Sequence, residues 1–175
     1  MPKPVTVTTP SNREVTVERA FDAPAQLVWD AHTKPELIQR WLVGSEGWTM
    51  PYCAVDLRVG GRYRYVWQNT ATGGQFGSYG EHLEVVPIER IVTSEVMDGL
   101  AMGEKIDVEN PPWGEGDPAI NTLTLSEAGG RTTLRINMLF PSKEHRDMAV
   151  QSGMTDGMEM GYRRLDEMAA ELAAG

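Results

Sequence analysis

Glu81 and His82, side by side in SYGEHLEVV, are the first pair in the chain that could move a proton. Their adjacency argues against cooperation: successive residues on a strand point to opposite faces, so one cavity could recruit one of them and not both. His82 facing inward could act alone, although a solvated strand histidine is the plainer expectation. Asp56 and Arg58 share one face of the extended segment VDLRV. They are expected to form a surface ion pair, with Arg58 the cation that could orient a ligand carboxylate. Ser45 and Ser78 stand in no nucleophile motif, so acyl transfer has no support and no catalytic residue is assigned. The stretches GRYRY and GEGDPA are not phosphate loops. G-x-G-x-x-G is absent, and the Gly60–Gly61 pair opens a strand rather than a helix.

The single cysteine, Cys53, excludes an intramolecular disulfide and a thiolate cluster. Within YCAVDLRV, an apparent strand, it is expected as a small buried hydrophobe rather than a reactive thiol. His32, His82 and His145 are far apart, and neither H-E-x-x-H nor C-x-x-C occurs, so neither a metal nor a cofactor is expected.

A length of 175 residues suits one domain. It is placed at 14–175, after a polar lead-in over 1–13. With 25 acidic against 16 basic residues the formal charge is −9, and the basic residues are scattered. Nucleic acid is thereby excluded as an expected partner, and anionic membrane surfaces are disfavoured. Five tryptophans could stack on bases, but the acidic balance opposes that, and Trp29 and Trp41 read as core residues of short helices. No apolar run approaches the roughly 20 residues of a membrane span, and MPKPVTVTTPSNREV lacks an export signal, so a cytoplasmic protein without membrane insertion is expected.

The elements that would position these residues follow from periodicity. EVTVERAF alternates as a half-buried strand. In DAPAQLVWDAHTKPELIQRWL, Asp22 and Thr33 are expected to cap two short helices, with Pro24 and Pro35 in their first turns. AVDLRV and RYRYVWQN read as a hairpin across Gly60–Gly61, with Tyr63, Tyr65 and Trp67 on one face and Arg62 and Arg64 on the other. SYGEHLEVV, RIVTSEVM, AINTLTLSE and RTTLRINMLF are further strands, the last two joined by the turn EAGG. The glycine-, proline- and acid-rich segment from Asp98 to Pro118, with Trp113, is expected either as a lid or binding loop or as a disordered excursion.

Ser142 is expected to cap one long helix running from Lys143 to about Ala173. Its apolar stripe comprises Val150, Met154, Met158, Leu165, Met168 and Leu172, flanked by Tyr162 and Ala169; Asp156, Glu159, Arg163, Asp166 and Glu167 take the opposite side. Gly157 and Gly161 fall in the stripe and Gly153 at its edge. Each interior glycine costs a helix roughly 1 kcal/mol against alanine. Inward glycines accompanied by methionines serve either close packing or a cavity wall.

Taken together, RAFDAPAQLVWDAHTKPELIQRWL, VDLRVGGRYRYVW, GEHLEVVPIERIVTSE and GYRRLDEM resemble the SRPBCC superfamily, the helix-grip fold of START domains and the birch-pollen allergen. The nearest branch is the homologues of the activator of the ninety-kilodalton heat-shock protein's ATPase. The resemblance spans about Val15 to Leu172. It implies an α+β fold in which a curved antiparallel sheet wraps a long C-terminal helix around an apolar pocket. Trp41, the inward face of RYRYVW with Tyr65 and Trp67, and Met154, Met158 and Tyr162 would line the pocket. Beside what the resemblance implies, the residues themselves offer Trp113 as a candidate lid and Arg58 as a candidate anchor. Tyr162 stands where relatives often carry tryptophan, and the ENPPWGEGD loop looks long for the branch.

The expected function is therefore a binding module, more a carrier than an enzyme, for a small hydrophobic or amphipathic molecule. Two alternatives remain: an enzyme of the polyketide cyclase or hydrolase type using the same cavity, and an interaction protein modulating a chaperone ATPase. The eukaryotic activator's second domain, which makes major chaperone contacts, is not visible in this sequence.

Overall fold

The strands predicted by alternation assemble into one antiparallel sheet. The computed structural model describes residues 4–100 and 105–175. Its strands are β1 (Thr6–Thr8), β2 (Glu14–Phe21), β3 (Trp48–Val55), β4 (Arg62–Asn69), β5 (Gln75–Val86), β6 (Arg90–Asp98), β7 (Ala119–Ala128) and β8 (Arg131–Leu139). They form an eight-stranded sheet in the order β1-β2-β8-β7-β6-β5-β4-β3. The turn between β7 and β8 uses Gly129 and Gly130 at φ 60° and 76°, the left-handed pair that a tight two-residue hairpin requires. The lead-in is not wholly outside the fold, because Thr6–Thr8 pairs with β2 and Val5 packs against the core.

Helices α1 (Ala25–Thr33) and α2 (Pro35–Trp41) follow β2 in tandem. Neither expected cap serves. Helix α1 begins after Pro24, and its Ala25 N–H donates to Glu127 Oε1 at 2.5 Å, while Asp22 pairs with Arg131 at 3.2 Å. Lys34 occupies the cap position of α2, and the Thr33 hydroxyl turns back to the Trp29 carbonyl at 2.9 Å. Both helices are instead held by burial of Val28, Trp29, Ala31, Ile38 and Trp41.

The long C-terminal helix is two helices. Ser142 caps α3 (Lys143–Gln151) as expected, accepting from the His145 N–H, but the chain breaks at Ser152–Gly153 before α4 (Met154–Ala174). Gly153 has φ 82°, a conformation costly for any residue with a Cβ, so this glycine marks a corner rather than an inward face. Helix α3 buries none of its residues, and Val150 and Leu172 are exposed rather than part of the stripe. Helix α4 buries Gly161, Tyr162, Leu165, Met168 and Ala169 against Val15, Val17 and Phe21 of β2 and Leu134 of β8, with α1 closing the same core.

Two charged clusters tie the layers together. Arg19 emerges on the core side of β2 with its side chain 2% exposed, and grips Asp166 through two 2.7 Å bonds and Glu159 at 3.2 Å. Glu159 and Asp166 thus turn toward the sheet, not toward solvent as the helical wheel suggests. On the opposite face of the sheet Arg64, equally buried, pairs with Asp98 at 2.6 and 3.0 Å. Its remaining donors reach the Val108 and Asp107 carbonyls at 2.9 and 2.8 Å.

This second cluster fixes the segment after β6. Part of the expected lid, residues 101–104, lies outside the described residues. The remainder covers the outer face of the sheet: Trp113 packs edge-on against Tyr79 at 5.5 Å, with the Arg62 guanidinium 4.7 Å from its ring centre. Trp113 is therefore not a cavity lid. The hairpin before it also differs from expectation, since β3 starts at Trp48 and ends at Val55, leaving Asp56 and Arg58 in the turn.

Candidate functional site

On β4, Arg64 points outward, so Tyr63 and Tyr65 point inward, and the strand register carries that parity across the sheet. Tyr65 pairs with Ser78 on β5, and His82 on β5 pairs with Thr93 on β6. Alternation along β6 and β7 puts Ile91, Thr93 and Glu95, then Asn121 and Leu123, on the same face. Helix α4 contributes Met158 and Tyr162 from above, and α1 and α2 contribute His32, Ile38 and Trp41. These side chains line a partly open cavity of about 190 Å³ between sheet and helices. A second recess, about 260 Å³ at Thr9, Arg146, Asp147, Val150 and Gln151, is an open surface hollow remote from this space, and its charged residues pair with one another.

The walls are aromatic. Trp41 and Tyr162 stack at 5.6 Å, Tyr63 lies 5.1 Å from Tyr65 and 5.7 Å from His82, and His32 lies 4.8 Å from Trp41. The Trp41 indole donates to the Ala31 carbonyl at 2.7 Å, which fixes its ring as a wall of the cavity.

The polar groups converge on Glu95. Its Oε2 accepts from the Ser78 hydroxyl at 2.9 Å and its Oε1 from the Asn121 amide at 3.3 Å. Asn121 Oδ1 is buried and, among the described residues, has no hydrogen-bond partner; the same holds for His32 Nε2. The His32 tautomer follows from its other nitrogen: Nδ1 lies 2.7 Å from the Val28 carbonyl, which only accepts, so Nδ1 carries the proton and Nε2 is a bare acceptor. Burial pushes the His32 pKa down to about 4 against the opposing pull of that bond. Burial also lowers His82, whose Nδ1 sits 3.2 Å from the Gly61 carbonyl. Both rings are neutral at pH 7. Burial, then the charge of Glu95, raises Tyr63, whose hydroxyl donates to the Ser94 carbonyl at 2.7 Å.

The residues expected at the site divide accordingly. Trp41, Tyr65, Met158 and Tyr162 line the cavity. Met154 packs against the core without reaching the cavity, and Trp67 turns to stack on Phe76 at 5.0 Å and donates to the Leu42 carbonyl. Arg58 is exposed and bonded to Asp56 at 2.8 Å, so it anchors nothing in the cavity. His82, expected in solvent, is 4% exposed. Glu95 and Asn121 were not anticipated. The available signal was their parity, since each shares a strand face with apolar neighbours, Ile91 and Leu123, where a polar residue needs a reason to be buried. Cys53 faces the same layer, and burial, then the Glu36 charge, pushes its thiol up to about 12, which disfavours the thiolate at neutral pH. Among the described residues no group of three side chains could hold a metal ion, and no helix is long and apolar enough to cross a membrane.

The fold recurs among solved structures. A protein of Rhodobacter sphaeroides superimposes with a TM-score of 0.82 at 28% identity, over 97% of this chain and 99% of that one. Protein NE0264 of Nitrosomonas europaea gives 0.77 at 22% identity over 95% and 100%. The AHSA1-like protein from Aeromonas hydrophila gives 0.68 at 21% over 89% and 93%. The model of the family described as Activator of Hsp90 ATPase homolog 1-like protein matches residues 22–170. No curated protein matches the chain significantly.

Proposed function

The chain belongs to the family of Activator of Hsp90 ATPase homolog 1-like proteins, and from that premise we propose that it holds one small hydrophobic or amphipathic molecule between its sheet and α4. The carrying observation is the partly open cavity of about 190 Å³, with aromatic walls and a few convergent polar groups. Its size limits the occupant. Larger ligand sites run to roughly 300–1,000 Å³, whereas an engineered cavity of about 150 Å³ in another protein admits benzene. A single-ring molecule fits within it, and a long acyl chain would have to extend through its open side. Trp41, Tyr65, Met158 and Tyr162 supply the apolar contact.

Native mass spectrometry of freshly purified protein, with release and identification of any passenger, tests this directly. A titration with toluene, followed by the Trp41 indole resonance, provides a second readout. Saturable shifts that vanish when Leu123→Trp fills the space support the reading; no passenger and no shift reject it.

One observation favours a second reading. His82 and Glu95 face the same cavity, which gives a hydrolase or cyclase an acid and a base to use. Turnover of a hydrophobic ester that is lost in both His82→Gln and Glu95→Gln would establish it. The family's description also names a chaperone ATPase activator, and a pull-down together with ATPase rates measured with and without this chain tests for that partner.

A further inference from the structure

We propose that the occupant of the cavity is a small organic cation, a single-ring amine whose ammonium group meets Glu95 and Asn121 while its apolar body lies among Trp41, Tyr65 and Tyr162. This rests on the binding reading above and narrows it to a ligand class.

Several donors near the cavity are engaged: the Trp41 N–H with Ala31, the Tyr63 hydroxyl with Ser94, the Ser78 hydroxyl and the Asn121 amide with Glu95. The hydroxyls of the lining Tyr65, Thr93 and Tyr162 can donate or accept. The buried lining atoms without partners only accept. Asn121 Oδ1 and His32 Nε2 are buried without partners, and each Glu95 oxygen, having taken one bond, has a lone pair free. An ammonium group offers three donors and no acceptor, which matches Asn121 Oδ1 and the two free Glu95 lone pairs.

The charges agree. No lysine or arginine lines the cavity. The Arg19 guanidinium stands 6.0 Å from the centre of the Tyr162 ring and is already neutralised by Asp166 and Glu159. Arg64 lies on the other face of the sheet, bound to Asp98. An anionic ligand would therefore face Glu95 with no countercharge. A hydrocarbon would leave Asn121 Oδ1 and the free Glu95 lone pairs unanswered. A cation is attracted both by the carboxylate and by the faces of Trp41, Tyr65 and Tyr162.

The test compares three probes of one shape, benzylamine, toluene and benzoate, at equal ionic strength, by calorimetry and by Trp41 indole shifts. Benzylamine is expected to bind about tenfold tighter than toluene, the margin of a charge-assisted contact, with benzoate weakest. In Glu95→Gln that margin collapses. Toluene or benzoate equalling benzylamine overturns the inference and leaves the binding reading standing, as does a margin that survives Glu95→Gln. Failure of all three probes overturns both. Should Glu95→Gln not fold, the wild-type ranking of the probes still decides.

Discussion

Gly161 lies against Trp41: a Cβ at position 161 would stand 3.4 Å from ring carbon Cε3 and 3.4 Å from the Trp41 carbonyl oxygen. The helix therefore stands about one methyl group away from the cavity wall, and a Cβ here would sit at the near limit of ordinary van der Waals contact. Gly157, one turn earlier, meets nothing within 4 Å, and Gly153 is the left-handed corner. Of the three evenly spaced glycines, one serves packing, one a break, and one neither.

That division predicts three different responses on thermal or denaturant unfolding. Gly157→Ala should stabilise by about 0.5–1 kcal/mol, the helical penalty of glycine with no steric debit. Gly161→Ala should stabilise by somewhat less than Gly157→Ala, because its methyl group would meet Trp41 at the near limit of ordinary van der Waals contact. Gly161→Leu should cost roughly 1–3 kcal/mol through overpacking. Equal effects of alanine at 157 and 161 would show that the approach to Trp41 is not tight.

Arg64 and Asp98 form a buried pair that also secures the segment from Asp107 to Trp113. Arg64→Leu leaves the Asp98 carboxylate buried and alone, with an expected loss of about 3–5 kcal/mol. The double variant Arg64→Leu with Asp98→Leu should recover much of that loss. Loss of the two carbonyl bonds should also free the segment and shift the Trp113 emission to the red, assigned by comparison with Trp113→Phe. An unchanged Trp113 signal in a folded Arg64→Leu protein would separate the pair from the loop.

The contrast between Tyr65 and Arg58 shows how far the sequence could be read. Tyr65 was placed because period-two alternation along RYRYVW survives in the sheet, and parity alone sends it to the core. Arg58 was misplaced because its apparent strand ends at Val55, and the bend through Gly60 was decided by chain reversal, not by alternation. Glu159 and Asp166 looked solvent-facing because a wheel knows only its own helix. Their partner, Arg19, is separated from Asp166 by 147 positions. Glu95 escaped notice for the same reason, since both its donors come from other strands. Local patterns reveal elements and faces, while polar pairings depend on which faces meet.

The clamp around Arg19 carries a pH signature. Burial works to raise the Glu159 pKa, but the bonds from the Arg19 guanidinium and the Val5 N–H outweigh it, and the net shift is below the usual 4.5. A carboxyl whose folded pKa is depressed contributes stability above its unfolded pKa and loses it as pH falls through the folded value. The contribution of Glu159 should therefore be intact at pH 5 and above and decline below about pH 4.5. Denaturant titrations at pH 5, 4 and 3 should show a shallower acid decline in Glu159→Gln than in the wild type. Parallel declines would mean that the clamp does not depend on this charge.

His32 acts in a separate and higher window. Its folded pKa of about 4 lies below the ordinary 6.5, because burial opposes the imidazolium more than the Val28 carbonyl favours it. As pH falls through 6.5 the unfolded chain takes up a proton at this position and the folded chain does not, so the unfolded state is the one stabilised. Stability should be complete above pH 6.5 and fall between 6.5 and 4, by at most about 1.4 kcal/mol per pH unit for one proton. His82, also lowered by burial, adds slope of the same sign. Denaturant unfolding at pH 7.5, 6 and 5 should show a smaller loss in His32→Phe than in the wild type, and a smaller loss again in His32→Phe with His82→Phe. If His32→Phe keeps the wild-type slope, His32 is not held neutral in the cavity wall, and Nε2 is not an acceptor offered to a ligand.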